Sequence, residues 1–391
     1  MTDLRLLEEE ARADARELMR RLVEHHANNT TDLADGQWHE PASNYGDPAV
    51  FRREIDRVHR RIPMPLALSA EIREPGSFKA IEVAGIPVVI TRGADGGVNA
   101  MVNSCRHRGA QVVGAGRGNT NRLTCPYHSW VYGLDGCLLG AYGEKTFGPV
   151  DRESRSLITL PVEERAGIVF VGLTPGLRWD LDGWLGDMLP VLERMRLGTL
   201  HVHSYDTFPG PGWKLVVDGF LETYHFSTLH RTTVFLTLLS NLAVFDTFGR
   251  HLRYAYARRS IADVAKLPPE EQDPARHVGP VTWLFPGLNI AGGLGDGHTV
   301  ASLVVPGRAI GESVTHQTVL LRKPPGSELE LKKADQVADL FRDVLTLEDY
   351  PVCEAVQGTL EAVAGNDFLF GRNEPGVQHF HRVLNSLMDE A

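Results

Sequence analysis

The sequence predicts an α+β fold in two parts, and three observations carry that prediction. From about residue 62 to 173, short β-type runs are separated by turn residues. After Thr174-Pro175-Gly176 the pattern changes to a helix followed by several strand-like runs. A long helical pattern from about 328 to 363 comes next, the arrangement expected of helices packed on an antiparallel sheet.

Near the start, Leu7, Ala11, Leu18, Leu22 and Val23 fall near helical spacing among Glu and Arg, which predicts a packed amphipathic helix. Residues 1–60 are read as a helical segment packing on the second part, and 61–175 as a small all-β unit. That unit contains Ile86-Pro87-Val88-Val89-Ile90 and Gly167-Ile168-Val169-Phe170-Val171, with turns such as Ala94-Asp95-Gly96-Gly97 and Leu134-Asp135-Gly136. Residues 176–391 hold a helical stretch at 213–228 and strand-like runs at 253–258, 281–290, 299–305 and 313–321. The glycine-rich run 292–297 lacks the following helix of a dinucleotide site and is read as a hairpin loop. No internal repeat is present.

Composition excludes several classes. The chain has 391 residues, 42% hydrophobic and 23% charged, enough for a sizeable core in two domains. A net charge of −10 argues against nucleic-acid or anionic-membrane partners. No stretch approaches the roughly 18–20 apolar residues of a membrane span, and the charged start is neither a signal nor a transit sequence. Four cysteines do not make a disulfide framework in so long a chain. A cytoplasmic location is expected, with cysteine chemistry tending towards metal binding.

The first constellation is Cys105-Arg106-His107-Arg108-Gly109 and, after seventeen residues from His107, Cys125-Pro126-Tyr127-His128. Two short loops, each offering one Cys and one His, can close on one inorganic centre. Two thiolates and two imidazoles suit zinc, or a two-iron cluster with Cys on one iron and His on the other. Zinc fingers pair like with like in sequence, so the mixed pairs favour the cluster. Cys137 and Cys353 have no such neighbours and are read as small core residues.

The second constellation surrounds Asp218, Glu222, His225, His230 and Asp349. On a continuous helix Asp218, Glu222 and His225 (i, i+4, i+7) would share one face, and buried carboxylates need partners or a metal. His230 lies about 140° around from His225, so both can reach one metal only if the helix distorts or unwinds. A carboxylate would complete a two-His, one-carboxylate triad with open positions. Glu348 and Asp349 both offer one. Asp349 lies nearer the centre of the stripe Phe341, Leu345, Val352, Val356 and Leu360, and Pro351 loosens the helix beside it.

Cys105–Ala110 with Cys125–Trp130, followed by Asp218–His225 and His230, resembles the α subunits of Rieske non-haem iron oxygenases, the ring-hydroxylating oxygenase family. The resemblance covers nearly the whole chain. It implies an all-β Rieske domain ahead of a helix-on-antiparallel-sheet, START-like catalytic domain. It also implies a [2Fe–2S] cluster on Cys105, His107, Cys125 and His128, and Fe(II) on His225, His230 and Asp349. Glu222 takes the place of the acidic residue that links the two centres, and Asp218 is kept beside it as a catalytic candidate. The resemblance further implies a homotrimer in which His128 of one chain faces Glu222 of the next. Two departures stand out: Gly219 where many members have Asn, and Glu222 for Asp, as in the choline, betaine and carnitine oxygenase branch.

The expected reaction is hydroxylation of an aromatic or other apolar organic substrate with O2. Electrons would come from a separate NAD(P)H-dependent reductase or ferredoxin. N- or O-demethylation of a small, even quaternary ammonium, substrate is the alternative. Remoter readings are a Rieske electron carrier or a zinc-stabilised regulatory protein. Phe235, Leu238, Leu239, Phe245, Phe248, Trp283 and Phe285 are candidates to line the substrate pocket. Arg250, Arg253, Arg258 and Arg259 could meet a carboxylate on the substrate or form a solvated strand face.

Overall fold

The computed structural model describes residues 4–264, 266–268, 271–293 and 297–390. They form two compact units. One comprises residues 55–181 and 196–199, the other 1–54, 182–195 and 200–391.

The first unit is built from short antiparallel sheets. A five-stranded sheet runs in the order Thr159–Leu160, Val98–Val102, Ile86–Arg92, Ser77–Val83, Gly116–Asn119. A second has Val162–Arg165, Ile168–Val171 and Met64–Leu68, and a third has Leu123–Thr124, Val131–Tyr132 and Leu138–Gly140. Val89, Met101, Leu123, Trp130, Tyr132 and Leu157 form the core beneath the two Cys-His loops. Cys137 departs from expectation: it is exposed, just after the turn at Leu134-Asp135, and so is not a core residue.

The second unit centres on a seven-stranded antiparallel sheet. Its order is His201–Gly210, Ser313–Leu321, His298–Pro306, Leu288–Gly292, Val278–Leu284, His251–Arg258, Leu238–Phe248. Side chains alternate across it. Ala255, Ala257, Val244 and Val278 pack beneath the N-terminal helix Leu4–Asn28, through Leu18, Met19 and Leu22. Tyr254 and Tyr256 therefore face the other layer, where the Tyr254 hydroxyl donates to the carbonyl of Phe220 at the end of helix Trp213–Phe220. Helix Pro375–Asp389 joins this layer, with Phe380 perpendicular to both Trp213 and Trp283.

Several local expectations need correction. The run read as one strand at 281–290 is a hairpin, Val278–Leu284 paired with Leu288–Gly292, because Pro286-Gly287 forms the turn. The strands His201–Gly210 and Leu238–Phe248 had no clear signature. They are the two edges of the sheet, where part-exposed strands lack a continuous apolar pattern. Of the glycine-rich run, Leu294–Asp296 lie outside the described residues, between the paired strands that flank them.

The late helical segment is interrupted. Helix Glu328–Asp343 passes into a π-helical turn, Val344–Asp349, before helix Tyr350–Thr359. The wide turn shifts later residues by about 100° relative to an unbroken helix. Val352, assigned to the buried stripe, is consequently 46% exposed, and Tyr350 is buried in its place. No helix among the described residues is long and apolar enough to cross a membrane.

Candidate metal centres

The two Cys-His loops share one backbone design. Cys105 N–H donates to the Ala110 carbonyl and Gly109 N–H to the Cys105 carbonyl, both at 2.8 Å. In the second loop, Cys125 N–H donates to Trp130 at 2.8 Å and Ser129 N–H to Cys125 at 3.0 Å. The equivalent fifth residues, Gly109 and Ser129, both take positive φ, 78° and 54°. This backbone bend turns each Cys inward and leaves each His near the rim. Both cysteines are buried, and the His107 and His128 rings meet edge-on at 4.6 Å. Trp130 stacks on His107 at 5.0 Å, and Tyr127 lies on His128 at 3.7 Å.

These residues fit a metal–sulfur group. His107 Nδ1 is buried with no hydrogen-bond partner among the described residues, as a ligating nitrogen would be. Burial pushes the Cys105 thiol up, and the adjacent Cys125 adds to this against hydrogen bonds from Tyr132 and His107. Two thiolates side by side therefore require a bound cationic centre. Tyr132, not anticipated from the sequence, is fully buried with its oxygen 3.2 Å from Cys105 Sγ. Because that oxygen accepts from Arg106 N–H at 3.0 Å, its own proton is left to point at the sulfur.

In the second unit, helix Trp213–Phe220 ends before Glu222, so Asp218, Glu222 and His225 do not share a helical face. The Glu222 carboxylate accepts from the backbone N–H groups of Tyr224 and His225, which opens the short 3₁₀ turn Tyr224–Ser227 in place of a continuing helix. This is the unwinding that the His225/His230 offset demands. His225 Nε2 and His230 Nε2 lie 3.0 Å apart, with Asp349 Oδ1 3.2 Å from His230 and 3.9 Å from His225. Both Nδ1 atoms meet carboxylates: His225 meets Glu222, and His230 meets Glu348 at 2.6 Å. A carboxylate only accepts, so each Nδ1 carries a proton, and in the neutral ring that a metal requires each Nε2 presents a lone pair. Three acceptors then converge without a donor, which fits a divalent cation.

Adjacent acids thus take different tasks. Asp349 reaches the convergence point, while Glu348 holds His230 and accepts from Thr233 Oγ1 at 2.7 Å. On a regular helix neighbours diverge by 100°, and the π turn lets both face the same imidazoles. Neither Glu348 as an orienting group nor Thr233 had a sequence signal of its own.

Asp218 is brought elsewhere. It accepts from Tyr45 Oη at 2.5 Å and pairs with His381 Nε2 at 2.9 Å, with Glu40 3.6 Å from the other ring nitrogen. Burial alone would lower the fully buried His381, but Asp218 and Glu40 raise it to about 9. Nearby, the buried Lys214 ammonium pairs with Glu54.

The expected pocket residues divide. Trp283 and Phe285 are fully buried core, and Leu239 packs on the N-terminal helix side. Phe245 stacks on Tyr254, and Phe248 lies under Arg253. Arg253 is committed to Asp14 and Asp246, Arg250 to Trp184, and Arg259 to Phe235. The aromatic residue beside the imidazoles is instead Phe226, 5.1 Å from His225 and 5.7 Å from His230, and Tyr256 stands nearly perpendicular to Phe226 at 5.9 Å.

Two outcomes follow from this geometry. In cluster-loaded protein, Tyr132→Phe should lower the midpoint potential of the cluster, because a hydrogen bond to sulfur favours the reduced, more negative state. A redox titration that gives an unchanged midpoint would contradict the assigned proton direction. His381 is raised from an ordinary value of 6.5, so its stabilising contribution is full below about pH 6.5 and is lost as pH rises through about 9. The stability gap between wild type and His381→Gln, read by denaturant unfolding, should narrow between those limits. A gap independent of pH would count against a charged His381.

Comparison with known proteins agrees with both halves. Residues 63–146 match the Rieske [2Fe-2S] domain, and residues 198–390 match the ring hydroxylating alpha subunit (catalytic domain). The carnitine monooxygenase oxygenase subunit of Acinetobacter baumannii is 27% identical over 90% of this chain and 95% of its own length. The anthranilate 1,2-dioxygenase large subunit of Burkholderia cepacia is 36% identical over 49% of this chain and 47% of its own. The fold matches a solved quaternary ammonium Rieske monooxygenase with a TM-score of 0.76 at 22% identity, covering 91% of this chain and 96% of that one. The chain belongs to the α subunits of the Rieske-type ring-hydroxylating oxygenases, enzymes that carry a [2Fe–2S] cluster and a mononuclear iron.

Proposed function

We propose that this oxygenase hydroxylates a carbon next to nitrogen in a small ammonium-bearing organic substrate, with electrons supplied by a separate reductase or ferredoxin. The observation that carries this reading is Phe226 standing against the two imidazoles, with Tyr256 packed perpendicular to it. Aromatic faces attract a desolvated cation through the ring quadrupole. The near full-length similarity to carnitine monooxygenase subunits supports it, as does Glu222 in place of Asp. Hydroxylation of an aromatic acid is the second reading, favoured by the higher identity to anthranilate dioxygenase over half the chain.

In this reading Cys105, His107, Cys125 and His128 hold the cluster, and His225, His230 and Asp349 hold the iron. The iron, when bound, supplies reductive activation of O2. Glu222 and Glu348 keep the protons on Nδ1, which fixes the tautomer and orientation of each imidazole. Phe226 and Tyr256 position the substrate and exclude water. One oxygen atom enters the C–H bond, and the other leaves as water with two electrons and two protons. A hydroxylated N-methyl group then splits into amine and formaldehyde. We further propose a ring of three chains in which His128 of one faces Glu222 of the next. The solved relative described for inter-subunit electron transfer supports this arrangement.

Loaded to saturation, Glu222→Ala should keep both metals and lose turnover, with iron affinity about 10–100-fold weaker. Rapid single-turnover reoxidation of its cluster would refute a bridging role. Substrate class is tested with the loaded enzyme, a surrogate reductase, and L-carnitine, glycine betaine and anthranilate. Oxygen-dependent oxidation of an ammonium compound is expected, with aldehyde release. A cis-diol from anthranilate and no product from the ammonium compounds would reverse the choice.

A further inference from the structure

We infer that Gly279 sets substrate size from beneath the active-site wall, as a positioning residue acting through Tyr256. The inference rests on the reading above in one respect, that the space beside Phe226 and Tyr256 receives the substrate. Gly279 is the cross-strand partner of Tyr256 and lies in the interior strand Val278–Leu284, every residue of which is buried. Its backbone is not in the left-handed region, so conformation does not call for glycine there. A glycine inside a buried strand weakens the strand and marks close approach by another group. Here that group is identifiable. A Cβ built on Gly279 would collide with Cε2, Cζ and Cδ2 of the Tyr256 ring, the last at 2.6 Å. The ring lies across the glycine, pressed onto the sheet.

Beyond the ring stand Phe226 at 5.9 Å and then His225 and His230. Tyr256 and Phe226 are both half-buried, so part of each side chain stays accessible, and the reading above places the substrate against it. Restoring ordinary contact with an added methyl would lift the Tyr256 ring by about 1–2 Å. That movement is away from the sheet, towards Phe226. Glycine at 279 therefore keeps the corner wide, and a larger residue there narrows it without touching the substrate.

The test uses the loaded holoenzyme and direct calorimetric binding of two graded pairs, tetramethylammonium with tetraethylammonium and benzoate with 1-naphthoate. Gly279→Ala should weaken the larger member of the bound pair by on the order of tenfold relative to the smaller. Gly279→Ala with Tyr256→Leu should restore the wild-type ratio. Tyr256→Leu alone, which removes bulk and keeps the test open should Gly279→Ala fold poorly, should relax discrimination against the larger probe. An unchanged ratio in Gly279→Ala, or no relief in the double variant, overturns the inference. So does an unchanged ratio in Tyr256→Leu. Binding of the aromatic pair alone sinks the ammonium reading and leaves Gly279 to be judged on the naphthoate ratio. Wild type that binds neither pair overturns both.

Discussion

Two imidazole nitrogens that face each other 3.0 Å apart are the constraint on which the catalytic unit depends. Lone pairs so close repel unless a cation lies among them, and Asp349 adds a third acceptor to the same point. The arrangement holds because each imidazole is gripped from behind by a carboxylate. Glu222 comes from the segment where the helix Trp213–Phe220 has unwound, and Glu348 from a π-helical turn. Both departures from regular helix cost backbone hydrogen bonding. Both are placed where a regular helix would have pointed a needed side chain elsewhere.

Behind this site lies a second charge problem, solved by burial of matched groups. Asp218, Glu40 and Tyr45 surround His381, while Glu54 meets Lys214 and the Trp213 indole. Removing one member of such a buried pair typically costs about 3–5 kcal/mol, because its partner is left uncompensated. The network fixes the buried helix Trp213–Phe220, from whose end the segment bearing His225 and His230 departs. Among the described residues, the side-chain partners of Asp218 are Tyr45 and His381 of this network.

Much of the chemistry was legible in the sequence because ligand residues cannot be exchanged for others. Cys105, His107, Cys125 and His128 stand in two loops whose spacing admits few centres, and His225 with His230 requires a break that the chain makes. Asp349 could be preferred over Glu348 by its place on the helix, although the π turn moved Val352 out of the buried stripe used to argue it. What could not be read were groups defined by partners distant in sequence. Tyr132 on Cys105, Thr233 on Glu348 and His381 on Asp218 are ordinary residues until the fold joins them. The edge strands His201–Gly210 and Leu238–Phe248 were equally silent, since both are only part-buried and carry no continuous apolar run.

The central claim is that one chain holds two kinds of iron, one bridged by sulfide and one gripped by nitrogen and carboxylate. Its most direct test is metal and acid-labile sulfide analysis of anaerobically prepared protein, beside a His225→Ala/His230→Ala variant. The account predicts about three irons to two sulfides per chain in the wild type. The variant should lose about one iron and no sulfide. Zinc in place of iron, or the same iron content in both proteins, would contradict it.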